Sequence, residues 1–226
     1  MVGDKLLSYS ASRAFGQSHF SWCIGSNKPS GAASDGRSVW KAHGRFVGGR
    51  APLQPMTKRS KSQIEATAYH EAGHTVIAYL LGYKPQSATI VPTVDTAGHI
   101  IIHANPLHGL QLDVDGSDEA RLRVESAITI CFAGPIAQKC HNPRSWRKAH
   151  GQWDYDTIAE LGLRVCGSGE QATAFIRWRE IVARDMVQAN WLRIALVAGQ
   201  LLERERLSYA DLDAIIVPRA GVIRVI

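Results

Sequence analysis

No window of the 226-residue chain reaches 18 consecutive apolar residues, so a membrane-spanning helix is not expected. The longest uncharged stretch of the body, residues 96–112, carries His99, His103 and His108 and is unsuited to lipid. Near residue 1 there is no compact apolar stretch followed by a small-residue cleavage site, which argues against export and for a cytoplasmic protein. Cysteine is scarce. Cys23, Cys131, Cys140 and Cys166 show no CxxC spacing and read as free thiols in a reducing compartment rather than disulfides. A GxxxxGKS or GxxxxGKT phosphate loop is missing too, so the chain carries no nucleotide-driven motor of this type. No internal repeat is visible.

With 45% hydrophobic and 20% charged residues, the chain has enough apolar content for one core plus a tail. The net charge of +6 is uneven. Residues 1–61 hold ten Lys or Arg against Asp4 and Asp35, whereas residues 62–226 hold sixteen against eighteen acids. The basic character therefore belongs to the first stretch, which also holds ten Ser and eight Gly without a sustained apolar period. It reads as a basic, mostly disordered tail, 1–61, ahead of a folded domain, 62–226. Such a tail can contact nucleic acid or anionic lipid or serve as a transit peptide; a plain solvated tail is the preferred reading.

Order is expected from Ser62, where Ser62-Gln-Ile-Glu65 has the form of a capping box. A proline-free helix then runs to Leu81 and stops at Gly82. Residues 87–94 and 99–104 are rich in Ile, Val and Thr and read as two short strands joined through Gly98. Residues 117–132 look helical, and Gly134-Pro135 either kinks that helix or begins another. A further helix is expected over 153–166. A second capping box, Ser168 to Gln171, opens a long helical region reaching about Glu205. Within it Trp191, Ile194, Ala195, Ala198, Leu201 and Leu202 form one apolar stripe. Ser208 to Asp211 caps a short last helix before Pro218. The expected fold class is α+β and mainly α-helical: an HExxH helix packed with a small sheet and a C-terminal helical bundle.

Residues 70–74 read His-Glu-Ala-Gly-His. On a helix, positions i and i+4 share a face, so His70 and His74 can present their imidazoles to one zinc ion. Glu71 is turned by about 100° from His70, which sets its carboxylate beside the metal as a general base for a water molecule. Chance alone supplies this pattern in roughly 0.014 chains of such composition, taking positions as independent. A merely structural pair of half-buried histidines is the competing reading.

A catalytic zinc needs a third protein ligand and an open position. The extended HExxHxxGxxH form is excluded by Ile77 and Leu80, and Val94 and Asp95 stand where a Glu about twenty residues on would be needed. A distant carboxylate remains, and Asp154 in His150-Gly-Gln-Trp-Asp-Tyr-Asp-Thr is the best candidate.

At this level of detail the chain resembles the protease domain of the FtsH-type zinc peptidases over about residues 64–216. His-Glu-Ala-Gly-His at 70–74 matches that family's motif letter for letter. Ser87-Ala-Thr-Ile-Val-Pro with Ala97-Gly-His-Ile is similar to its strand pair, and Phe132-Ala-Gly-Pro-Ile-Ala-Gln to its Ala-Gly-Arg-Ala-Ala-Glu segment. Gly151-Gln-Trp-Asp-Tyr resembles the stretch whose final Asp ligates zinc, and Leu201-Leu-Glu-Arg-Glu-Arg-Leu-Ser its closing helix. The resemblance implies a zinc metalloendopeptidase in which His70, His74 and Asp154 hold Zn²⁺ and Glu71 is the general base. Asp156 is the alternative third ligand; Asp154 is preferred because Trp153 and Tyr155 supply apolar walls. Pro135 and Gln138 depart from the family, standing where it has Arg and Glu, and no ATPase module accompanies the domain.

The implied substrate is an unfolded polypeptide or peptide, which can pair as an added strand with residues 87–94 or 99–104. A non-catalytic zinc-binding regulator or adaptor is one alternative, and a peptidase subunit relying on a separate ATPase is another. Self-association stays open, and nucleic-acid binding is not expected. Arg144, Trp146, Arg147 and Lys148 read as a plain basic loop. The histidines at 99, 103 and 108 read as groove-lining rather than a second metal site. Asp113, Asp115, Asp118 and Glu119 lack the Gly and the final Glu of a calcium loop. Cys131 and Cys140 read as helix-packing residues.

Overall fold

Ser60, rather than Ser62, starts the first helix. Its hydroxyl accepts from the Gln63 N–H, and the Gln63 side chain returns to the Ser60 N–H at 2.8 Å, a capping box closed by Gln instead of Glu. The computed structural model describes residues 20–25, 59–93, 96–102, 105–111 and 116–217. Most of the 1–61 stretch therefore lies outside the described residues, as do His103, Asp113 and Asp115.

Helix α1 (Lys61–Leu80) is buried continuously from Ala66 to Ala78, except for half-buried Tyr69. It is enclosed by α2 (Asp118–His141), by α5 (Trp191–Arg204) and by the sheet. Small residues allow this. A Cβ on Gly73 would lie 2.5 Å from the Ala133 carbonyl oxygen and 2.7 Å from Ala137 Cβ, so α1 and α2 meet backbone to backbone. The two expected strands are β2 (Pro85–Thr89) and β3 (Thr96–Ile102). Gly98 is thus inside β3 rather than between strands, and β3 alternates strictly, with Thr96, Gly98, Ile100 and Ile102 buried toward the helices.

Two more strands complete an antiparallel sheet of order β1-β3-β2-β4. The three-residue β4 (Arg206–Ser208) pairs with β2. The other, β1 (Phe20–Gly25), comes from the stretch expected to be a disordered tail and pairs with β3 from Phe20↔Ile102 to Gly25↔Thr96, with an irregularity between Cys23 and Gly25. Its pairing takes the β3 edge that sequence reasoning assigned to substrate; β2, between β3 and β4, has no open edge either.

Pro135 neither ends α2 nor starts a new helix: α2 runs through it to His141. Ser117 caps α2, and Asp118 and Glu119 in its first turn complement the helix dipole. Two 3₁₀ turns, Pro143–Ser145 and Lys148–Gly151, lead into α3 (Gln152–Val165). The long helical region divides at Asn190 into α4 (Gly169–Ala189) and α5. Asn190 achieves this without Gly or Pro, its side-chain amide donating to the Met186 carbonyl at 2.9 Å. Ser168 caps α4, but Gln171 accepts from the Gly167 N–H instead of closing a capping box. On α5, Ile194, Ala198 and Leu201 face the core, whereas Leu202 is exposed. Ser208 and Asp211 form the capping box of α6 (Tyr209–Ile216). The architecture is mainly helical with a small antiparallel sheet, and among the described residues no helix is long and apolar enough to cross a membrane.

Candidate metal centre

His70 and His74 stand one turn apart on the face of α1 that meets α2, and both are buried. Their ring centroids are 4.7 Å apart. Asp154, in the first turn of α3 and also buried, projects between them. Its Oδ2 lies 3.2 Å from His70 Nε2 and its Oδ1 3.3 Å from His74 Nε2. Asp156, the alternative ligand, is exposed half a turn on and accepts from the Gln152 side chain at 2.6 Å. The structure brings His70, His74 and Asp154 together and leaves Asp156 at the surface.

The tautomers follow from what stands behind each ring. His74 Nδ1 is 2.7 Å from the Ile130 carbonyl oxygen, which can only accept, so Nδ1 carries the proton. His70 Nδ1 is 3.1 Å from Gln138 Oε1. The Gln138 amide is oriented by its own Nε2, which donates to the Ser145 carbonyl at 3.2 Å and lies 3.3 Å from His150 Nδ1. In neutral rings each Nε2 then carries a lone pair aimed at a carboxylate. Neither 3.2–3.3 Å contact has hydrogen-bond direction: His70 Nε2 and both Asp154 oxygens are buried without a hydrogen-bond partner. Burial, chiefly, holds the His70 pKa below the ordinary imidazole value and opposes relief by protonation.

Acceptors facing acceptors in a dry interior call for a cation. Two ligands bound at 2.0–2.1 Å to one tetrahedral ion stand about 3.3–3.4 Å apart, close to the separations found here. The candidate ligand atoms all lie within 4.8 Å of one another, and two imidazoles with a carboxylate suit a first-row divalent metal. The buried His70–His74–Asp154 group can hold a metal ion; its chemistry does not single out which one.

Glu71 is fully buried as well, and neither carboxylate oxygen has a hydrogen-bond partner. Burial, and then the nearby charge of Asp154, push its pKa well above the ordinary carboxylate value. Beyond it lies β3: a Cβ on Gly98 would fall 3.0 Å from Glu71 Cγ, so glycine lets the strand pass against the glutamate.

Sequence reasoning did not find the groups that orient the ligands. The sequence marks Gln138 only as a departure from a family pattern, yet it fixes His70, and the Ile130 carbonyl has no sequence signal at all. Gly134 is a third: a Cβ there would collide with the His74 ring and lie 2.7 Å from His70 Cδ2. A glycine within a helix that also carries a proline is the signal for such a close approach. His99 is half-buried on β3 and His108 is exposed in the following turn. Compared with protein-family models and with curated proteins, the chain finds no match.

Proposed function

We propose that the protein is a zinc-dependent metalloendopeptidase of the FtsH type, acting on unfolded polypeptides or peptides. One observation carries this reading: two helix-borne imidazoles and a carboxylate converge, with His70 Nε2 and both Asp154 oxygens buried without a hydrogen-bond partner, while a second carboxylate that is not part of the trio is buried alongside. A histidine serving only as a core residue would be expected to have both ring nitrogens satisfied, and His70 Nε2 is not.

His70, His74 and Asp154 would hold the zinc, and Glu71 would serve as general base. When bound, the ion supplies Lewis acidity, polarising a peptide carbonyl and acidifying a water molecule. Glu71 accepts the proton of the attacking water and passes it to the leaving amine. Burial raises its proton affinity, which suits that acceptor role near neutrality. Gln138 and the Ile130 carbonyl hold the imidazoles in the ligating tautomer. An extended substrate reaching Glu71 along β3 competes for the edge that β1 occupies.

Metal analysis and cleavage of an unfolded protein such as casein, on the wild type and Glu71→Gln, test the proposal. The expected result is about one zinc per chain in both, with activity about 10²–10⁴-fold lower in the variant. Full activity in Glu71→Gln, or equal zinc in the wild type and His70→Ala/His74→Ala, overturns it.

A further inference from the structure

A cavity of about 500 Å³ opens at the N-terminal end of α1, with Arg59, Thr67, Ala97, Gln138, Arg144 and Arg147 among its walls. None of its described lining residues is acidic. Six arginines elsewhere, Arg121, Arg123, Arg164, Arg179, Arg184 and Arg204, each lie within 4 Å of a carboxylate, and Arg177, Arg193 and Arg206, which do not among the described residues, are scattered rather than gathered on one cavity. Arg59, Arg144 and Arg147 have no such partner among the described residues.

Arg59 is fixed in place, its Nη1 donating to the Ala97 carbonyl at 3.0 Å and its Nη2 to the Ile90 carbonyl at 2.8 Å. That uses two of its five N–H groups and none of its charge. Arg144 and Arg147 are exposed and come from the loop joining α2 to α3. The first-turn N–H groups of α1, near Ser60 and Ser62 on the cavity wall, add the partial positive charge of a helix start. Burial, and then the Arg147 guanidinium, hold the His150 pKa below the ordinary imidazole range, so the positive potential is felt within the wall.

Two walls join the cavity to the metal centre. Gln138 is hydrogen-bonded to His70. Thr67 and Ala97 flank Gly98, where a Cβ would meet Thr67 Cγ2 at 2.8 Å and Glu71 Cγ at 3.0 Å. A chain that takes the place of β1 along β3 and passes Glu71 therefore has this cavity beside it.

We propose that the cavity is a carboxylate-binding subsite, taking either the C-terminal carboxylate of a peptide or an Asp or Glu side chain next to the bond to be cut. This rests on the metallopeptidase reading. Guanidinium forks match a planar carboxylate in two hydrogen bonds at once, and the volume suits a short peptide segment rather than a folded partner.

Binding, rather than turnover, tests the subsite separately from the chemistry. Zinc-loaded Glu71→Gln protein is titrated with an acetylated hexapeptide of neutral residues as its free acid, the same peptide as its amide, and an amide carrying one internal Glu. The free acid, the Glu-bearing amide or both are expected to bind about tenfold or more tightly than the neutral amide. Which one gains identifies the source of the carboxylate. The preference should shrink with added salt and vanish in Arg144→Gln/Arg147→Gln, whose exposed positions leave the fold intact, and return in part with Lys at both positions. Equal binding of all three peptides, no binding of any, or a preference surviving in the double Gln variant overturns the proposal. A wild type that cleaves nothing while the preference holds removes the peptidase reading and leaves the carboxylate site standing. An active wild type indifferent to carboxylates removes the subsite alone.

Discussion

Two buried polar clusters are anchored on consecutive residues of α2, Thr129 and Ile130. At Thr129, Arg179 from α4 donates to the Thr129 hydroxyl and, at 3.3 Å, to Glu125 Oε2, while the hydroxyl donates to the Glu125 carbonyl at 2.7 Å. Every guanidinium nitrogen of Arg179 meets an acceptor, and Glu125 is paired with Arg179 and Arg121. At Ile130 the backbone carbonyl accepts from His74, which belongs to a group with acceptors in excess. The first cluster is polarity used to hold helices together. The second is polarity that the protein alone leaves unsatisfied, an expensive arrangement that folding by itself does not explain.

The contrast can be broken most severely by Asp154→Ala, which removes one ligand and the charge that offsets the metal's. Zinc affinity should fall more than about 100-fold, beyond what changes behind the ligands cost, whereas Asp156→Ala should leave it unchanged in a chelator competition. The reverse pattern would reassign the third ligand. Next in size, Arg179→Met should cost about 2 kcal/mol in urea unfolding by removing the hydrogen bonds to Thr129 and the more buried of the two arginines paired with Glu125, with zinc content intact. Zinc loss there would join the two clusters into one. Gln138→Ala should lower zinc affinity about tenfold by freeing the His70 ring, and Gln138→Glu should lie nearer the wild type because it keeps an acceptor in place.

The smallest effect is one of sign. Because the folded Glu71 pKa is raised, this one group holds its proton in the folded metal-free protein above pH 4.5 where the unfolded chain loses it, so its contribution to stability falls as pH rises from there toward the raised value. Metal-free Glu71→Gln lacks this loss. It should be the more stable protein at pH 7, with the gap closing as pH falls to 4.5. A gap that widens on acidification would contradict the buried carboxylate.

Legibility in the sequence followed the same divide. The helices announced themselves through caps and apolar periods, though α1 begins two residues early because Ser-x-x-Gln and Ser-x-x-Glu overlap there and the Gln version closes. The α4–α5 break was invisible because Asn190 ends a helix through a local side-chain bond rather than a strong breaker residue. Of the two readings of Gly134-Pro135, a new helix is overturned, since α2 runs through Pro135 while packed against α1. At the centre, His70, Glu71 and His74 were readable because a helix converts spacing into direction. Asp154 came from resemblance and from the polarity of its neighbours. The Ile130 carbonyl and the Gly134 gap depend on how closely two distant segments approach, and one-dimensional spacing holds no record of that.

The sheet carries a consequence for biogenesis. Its edge strands come from far-separated parts of the chain, β1 near residue 20 and β4 near residue 207, while α1 is backed by α5 from residues 191–204. All the groups of the metal centre have left the ribosome once Asp154 emerges. The wall that holds α1 in place and the strand that closes β2 are made some forty to fifty residues later. A nascent chain thus owns its metal-binding groups before it owns the packing that fixes their geometry, because the long-range contacts close last. On the reading of a metal centre, firm capture of an ion therefore waits until α5 and β4 have docked.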